Sequence, residues 1–105
     1  MKKIALITVS TLLLGLSLNS LGASNIAAGK AKSAMCVGCH GVAGKSMIPA
    51  YPNLAGQNSL YLENALNAYK NKHRTGTQAS IMQGMAAGLN DNEIKNLAAY
   101  FSSLK

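Results

Sequence analysis

The 105 residues carry ten basic side chains against three acidic ones, two cysteines and no tryptophan, with a formal charge of +7. That length suits one small domain, and no second is visible in it. The basic residues are scattered without interleaved aromatics, and no repeat or long linker divides the chain, which argues against a nucleic-acid-binding tract and a repeat architecture.

The N-terminus reads as a secretory leader. Lys2 and Lys3 precede an apolar stretch from Ile4 to Leu18, and polar, small residues begin at Asn19 and Ser20, the charged, apolar and cleavable regions of a signal peptide. The apolar run falls short of the ~20 residues that span a bilayer. Cleavage is therefore expected, with residues 1–23 as leader, residues 24–105 as the domain and no stable membrane insertion afterwards. A cut after Ala23 leaves Leu21 at the −3 position; a cut after Gly22 leaves Ser20 there. Export points to the periplasm and away from nucleic acid. The remaining chain of roughly 80 residues has eight basic and three acidic groups, a balance of +5. A modest positive charge suits docking on an acidic partner. So small a domain is marginal on its own core.

Asn25 to Val37, rich in Ala and Lys, predicts a helix. It runs into Cys36-Val37-Gly38-Cys39-His40. Gly41, Gly44, Pro49, Pro52 and Gly56 break the next stretch, Gly41 to Gln57, into a loop. Asn58 or Ser59 can cap a helix over Leu60 to Asn71, on which Leu62, Ala65, Leu66 and Tyr69 share a face. His73 to Ala79 reads as loop and Ile81 to Ala87 as a short helical turn. Asn90, with Glu93 three residues on, has the form of a capping box. It opens a helix whose apolar face is Ile94, Leu97, Ala98, Phe101 and Leu104. No segment alternates, so the fold class is all-α.

Cys-x-x-Cys-His is the attachment pattern of a c-type haem. Two thiols on one tight turn can each add across a vinyl group, and the following imidazole meets the iron from the same side. A thioredoxin-like pair needs a βαβ context. A structural zinc site needs further ligands close by, and His73 stands alone in a polar stretch. A disulfide is compatible with export, but none of these alternatives accounts for His40 directly after Cys39. Covalent haem supplies the apolar mass that the domain lacks. His40 is then the proximal ligand, and its second nitrogen needs an acceptor. A carbonyl held rigid at Pro49 is well placed in the following loop.

The sixth ligand comes from Met35, Met47, Met82, Met85 or His73. Met35 adjoins Cys36, and Met47 lies in the proximal loop. Met82 and Met85 lie far enough along to reach the opposite face, and spacing alone does not separate them. Methionine–histidine ligation raises the reduction potential. One of the two should be core filler.

The chain resembles the class I c-type cytochromes, most closely the small monohaem bacterial periplasmic ones and one half of the two-haem bacterial type. The resemblance rests on Gly29, Cys36 to Gly41, Pro49-Ala50-Tyr51-Pro52, Asn53-Leu54-Ala55-Gly56-Gln57 and Tyr61-Leu62. It continues with Met82 seven residues before Leu89, and Asp91 through Ala98-Ala99-Tyr100-Phe101. It implies a small cytochrome c fold of three main helices plus a short helical turn around one haem c, held by two thioethers from Cys36 and Cys39. It further implies His40 and Met82 as axial ligands with Met85 as the alternative, and Pro49, nine residues after His40, as the proximal carbonyl. The first and last helices should cross closely where Gly29 meets Tyr100 and Phe101. The chain departs from many relatives in having few acidic residues before the final helix and in its loops. Gln57, Tyr61 and Arg74 are candidate donors to the haem propionates.

The function expected is one-electron transfer in a respiratory chain, without enzymatic turnover. Lys30, Lys32, Lys45, Lys70, Lys72 and Arg74 are the candidate docking rim. The partners expected are redox proteins with acidic surfaces: a membrane-bound oxidase, a quinol-oxidising complex or a periplasmic dehydrogenase. A haem subunit of a larger oxidoreductase complex is the alternative. A peroxidase or small-molecule reductase needs an open sixth position and a distal acid or base, and no such pair is evident.

Overall fold

The computed structural model describes residues 24–105; the expected leader lies outside the described residues. Five α-helices follow in order: α1 Ile26–Lys32, α2 Val37–His40, α3 Ser59–Lys70, α4 Ala79–Ala87 and α5 Asp91–Ser103. A 3₁₀ turn, Ser33–Met35, sits between α1 and α2. No strand occurs among the described residues.

The capping box forms as the sequence implies. Asn90 Oδ1 accepts from the Glu93 N–H at 2.9 Å, and Glu93 Oε1 accepts from the Asn90 N–H at 3.0 Å. This orders the first turn of α5 and lets its apolar face enter the core. Ile94 and Leu97, 0 % and 1 % exposed, are the largest fully buried side chains. Complete burial of such a side chain stabilises by about 1.5–3 kcal/mol. Leu62 of α3, Ala86 of α4 and Leu89 join them, with Ala98, Tyr100 and Phe101 from α5 itself.

The α1–α5 crossing is set by a glycine. A Cβ placed on Gly29 would lie 2.0 Å from the Asn96 backbone oxygen and 2.8 Å from Tyr100 Cβ. Only a hydrogen fits there, so the two backbones touch. Asn25 supports the same crossing: its side chain caps α1 by accepting from the Ala28 N–H, while its own N–H donates to Asn96 Oδ1 at 2.8 Å. Lys32 pairs with Glu93 across the two helices. The expected contact of Gly29 with Tyr100 is present, and Phe101 lies against Gly44.

The single helix expected from Asn25 to Val37 is broken. The buried Ser33 donates its hydroxyl to the Lys30 carbonyl at 2.6 Å, and the Cys36 N–H bonds to the Ser33 carbonyl at 2.8 Å. This three-residue spacing narrows the helix into a 3₁₀ turn between α1 and the cysteine turn. At the other end, α4 runs for nine residues, longer than the expected turn, because Ala79 is buried and already belongs to its packing face. Asn58, the expected cap of α3, accepts from the Tyr61 N–H at 3.0 Å. Lys70 near the end of α3 donates its ammonium to the Leu89 carbonyl, tying α3 to the α4–α5 junction.

Gly29→Ala should lower the stability of the haem-loaded protein by about 1–3 kcal/mol, the range for an overpacked contact, despite alanine's better helix propensity. Urea denaturation of both forms measures it. A second outcome concerns acid. The Lys32 ammonium, and then the Asn90 N–H, hold the Glu93 carboxyl below its ordinary value. A lowered carboxyl contributes stability above its unfolded pKa of about 4.3 and loses it as pH falls through the lower folded value. Glu93→Gln keeps a capping acceptor but removes the charge. The stability gap between the two proteins should therefore be present at neutral pH and close in acid below about pH 4.

Candidate haem site

Cys36 follows the 3₁₀ turn, and α2 carries Cys39 and His40 around one tight turn, with the His40 N–H bonded to the Cys36 carbonyl at 2.9 Å. Both cysteines are free thiols, Cys36 half-buried and Cys39 exposed. Burial raises the Cys36 thiol above its ordinary pKa, Cys39 adds to the rise and Lys32 opposes it. His40 is 6 % exposed. Its Nδ1 lies 2.8 Å from the Pro52 carbonyl oxygen. A carbonyl only accepts, so Nδ1 carries the proton and Nε2 is left as the lone-pair nitrogen.

The acceptor is Pro52 and not Pro49, a correction to the sequence reading. Pro49 occupies the second position of a turn closed by the Tyr51 N–H on the Ile48 carbonyl at 3.0 Å, where a fixed φ near −65° is preferred. That turn reverses the chain and brings the following proline back to His40. Ser46 anchors the reversal. Its hydroxyl lies 3.0 Å from the Cys39 carbonyl and 2.9 Å from the Ile48 carbonyl, and its N–H donates to Asn53 Oδ1 at 2.7 Å. Gly41, at φ +86°, ends α2; a Cβ there would lie 1.9 Å from the Lys45 oxygen. The Tyr51 ring stands 6.4 Å from the imidazole. The sequence reading assigned Ser46 no role, and Tyr51 none beyond its place in the Pro49-Ala50-Tyr51-Pro52 stretch. The available signal was the paired proline of Pro49-Ala50-Tyr51-Pro52, where one proline shapes the turn and the other presents a carbonyl.

A cavity of about 430 Å³ lies beside the imidazole. Cys36, Cys39, His40, Tyr51 and Pro52 contribute to its lining, as do Met82 and Met85 of α4, and Leu62, Leu66, Leu97 and Phe101 add apolar wall. Both methionines are half-buried. Met35 also borders the cavity, whereas Met47 is 95 % exposed and His73 is exposed and absent from the lining. Gln57, Tyr61 and Arg74 all border it. The donor set fits a covalently held haem: two thiols on one turn, an imidazole oriented through its other nitrogen, thioethers on α4 and hydrocarbon between them.

The family comparison agrees with this donor set. Residues 26–105 match the family model Cytochrome c. The chain belongs to the cytochrome c family. It is 47 % identical over 81 residues to cytochrome c-554(548) of Halomonas halodenitrificans, covering 77 % of this chain and 98 % of that protein. It is 41 % identical over 97 residues to cytochrome c4 of Pseudomonas aeruginosa, covering 90 % of this chain but 47 % of the relative. The crystal structure of reduced recombinant cytochrome c4 from Pseudomonas stutzeri superposes with a TM-score of 0.69 at 39 % identity, over 79 % of this chain and 47 % of that one. The chain thus spans about half the length of its cytochrome c4 relatives. Members of this family are electron carriers, and this one takes a single covalently bound haem c on the Cys36–Cys39 pair. No helix among the described residues is long and apolar enough to cross a membrane.

Proposed function

We propose that the chain is a periplasmic one-electron carrier whose haem iron is held by His40 on one side and Met82 on the other, after removal of residues 1–23. The observation that carries this reading is the buried His40 ring with its Nδ1 proton donated to Pro52. That bond fixes the tautomer and the ring plane, so Nε2 is the ligating atom without rearrangement. When bound, the haem supplies an iron that exchanges one electron between its ferric and ferrous states. The chain keeps ligands on both sides and an apolar wall around them. No protein group then has to leave when the charge changes.

Met82 is chosen over Met85 on the likeness to class I cytochromes, in which the ligand lies seven residues before the apolar residue that opens the last helix. Leu89 is that residue here, and it is buried. Met85 then fills space beside it. Met82→Ala should abolish the methionine–ferric iron absorption band, open the iron to carbon monoxide and lower the midpoint potential by a sizeable part of the roughly 0.8 V that axial ligation spans. Met85→Ala should keep the band and lose about 1–2 kcal/mol of stability, in proportion to its partial burial. Loss of the band in the second variant and not the first would exchange the two roles.

Partner docking follows from the free cations. Lys32 is paired with Glu93, Lys70 reaches Leu89, and Arg74 stacks on Tyr69. Lys30, Lys45 and Lys72 are exposed and supply the rim for an acidic redox partner, in an encounter of less than about 1,200 Å². Converting Lys45 and Lys72 together to Gln should slow association roughly 10-fold at low ionic strength and flatten its salt dependence. Stopped-flow kinetics with an acidic electron acceptor reads both. An unchanged salt slope removes these lysines from the interface.

A further inference from the structure

The helix that carries both cavity-lining methionines of the C-terminal half is weak by its own composition. α4 is nine residues long, and no side chain caps its first turn. Gly84 sits in its interior, with nothing within 4 Å of where a Cβ would stand. A short, uncapped helix with an internal glycine is marginal by itself. Its seating therefore comes from α3, against which it packs, and from the polar groups at its two ends. On the entry side Gln83 Nε2 donates to the Arg74 carbonyl at 3.0 Å. On the exit side the Lys70 ammonium donates to the Leu89 carbonyl.

The exit bond joins three helices. Leu89 is 4 % exposed and lies between Gly88, which ends α4, and Asn90, which caps α5. Its N–H is used on the Ala86 carbonyl at 3.1 Å, and its own carbonyl belongs to neither helix. A backbone carbonyl on a buried residue needs a donor, and Lys70 supplies one. Lys70 is half-buried in the last turn of α3, and it is not on the cavity lining. Its charge also reaches Glu93, whose carboxyl is held low first by Lys32 and the Asn90 N–H, with Lys70 a smaller contributor. Lys32 of α1, Lys70 of α3 and Glu93 of α5 thus converge on the junction where α4 ends.

We propose that Lys70 is the positioning residue for the methionine ligand: by holding the Leu89 carbonyl it fixes the end of α4 against α3 and keeps the thioether of that helix on the iron. This rests on the reading that α4 supplies the sixth ligand. Lys70 acts through the backbone and touches no reacting atom. A neutral external ligand then reaches the iron only in the fraction of molecules in which α4 has moved away, and its apparent affinity is scaled by that fraction.

The test is imidazole binding to the ferric, haem-loaded protein, followed through loss of the methionine–iron absorption band. Lys70→Leu keeps an apolar stem and removes the donor. It should bind imidazole at least roughly 10-fold more tightly, the size expected from one lost bond to a charged donor. Lys70→Arg, which can still donate to the carbonyl, restores most of the original affinity. Lys95→Gln, which removes a cation from α5 outside the lining, leaves it unchanged. Urea unfolding of the same proteins separates positioning from a general loss of stability. A lower midpoint in Lys70→Leu with unchanged imidazole affinity overturns the proposal, as does an equal gain of affinity in Lys95→Gln. A second measurement needs no variant: in proton–nitrogen spectra of the ferrous protein the Lys70 ammonium should exchange with water far more slowly than a solvated lysine, and exchange at the solvated rate overturns the tether. Failure of the ligand reading would look different, as unsubstituted protein without a methionine–iron band, and it would end this proposal with it.

Discussion

Leu62, Ala86, Leu89, Leu97 and Phe101 belong to two surfaces at once: they form the hydrophobic core and they line the cavity. The core and the site therefore share a wall. A domain of roughly 80 residues buries a smaller fraction of its surface than a larger one and is marginal alone. Here the apolar face of α5 is covered on one side by α1, at the Gly29 contact, and on the other by residues that border the cavity. An apolar group filling that space completes the packing of the same side chains that hold α3, α4 and α5 together. Attachment and folding are coupled through this shared wall, and the two cysteines make the coupling permanent.

The proximal side is built by hydrogen bonds more than by hydrophobic burial. The loop from Gly41 to Asn58 contains no helix, yet its backbone is extensively bonded. Gly44 accepts from Leu54 and Ala55, Ser46 bridges Cys39 to Ile48, and the Gly56 N–H donates to the Phe101 carbonyl. This last bond fastens the far end of the loop to α5. Pro52 thus presents its carbonyl to His40 from a loop fixed at the cysteine turn and at the last helix. The orientation of one imidazole nitrogen depends on contacts spread over much of the chain.

The elements governed by local signals were legible in the sequence. Asn90 with Glu93 marked the start of α5, Asn58 marked α3, and the apolar spacing of Ile94, Leu97, Ala98 and Phe101 identified the buried face. The cysteine pair and His40 were legible because the chemistry needs them within five consecutive residues. What could not be read depended on contacts remote in the chain. Pro49 and Pro52 both sit in a breaker-rich loop, and only the Ile48–Tyr51 turn and the Ser46 anchor decide which carbonyl reaches His40. The break after Lys32 came from a serine hydroxyl returning to the chain, which composition does not distinguish from a surface serine. The exposed cations were likewise an unsorted set until the fold gave Lys32, Lys70 and Arg74 internal partners.

The two walls bearing candidate ligands are secured by different means. His40 is fixed through its own side chain by Pro52. Met82 has no such bond, since a thioether is at best a weak acceptor; its position follows from the seating of α4. That helix is placed by Ala79 and Ala86 in the core, by the Gln83 amide on the Arg74 carbonyl, and by Lys70 holding the Leu89 carbonyl just beyond its end. Its entry is the exposed segment from Asn71 to Gln78. Exposed backbone with few apolar contacts opens more readily than a packed helix pair. Met82 is therefore held only by the packing of a helix entered through an exposed segment, whereas the imidazole is bonded between α2 and the loop.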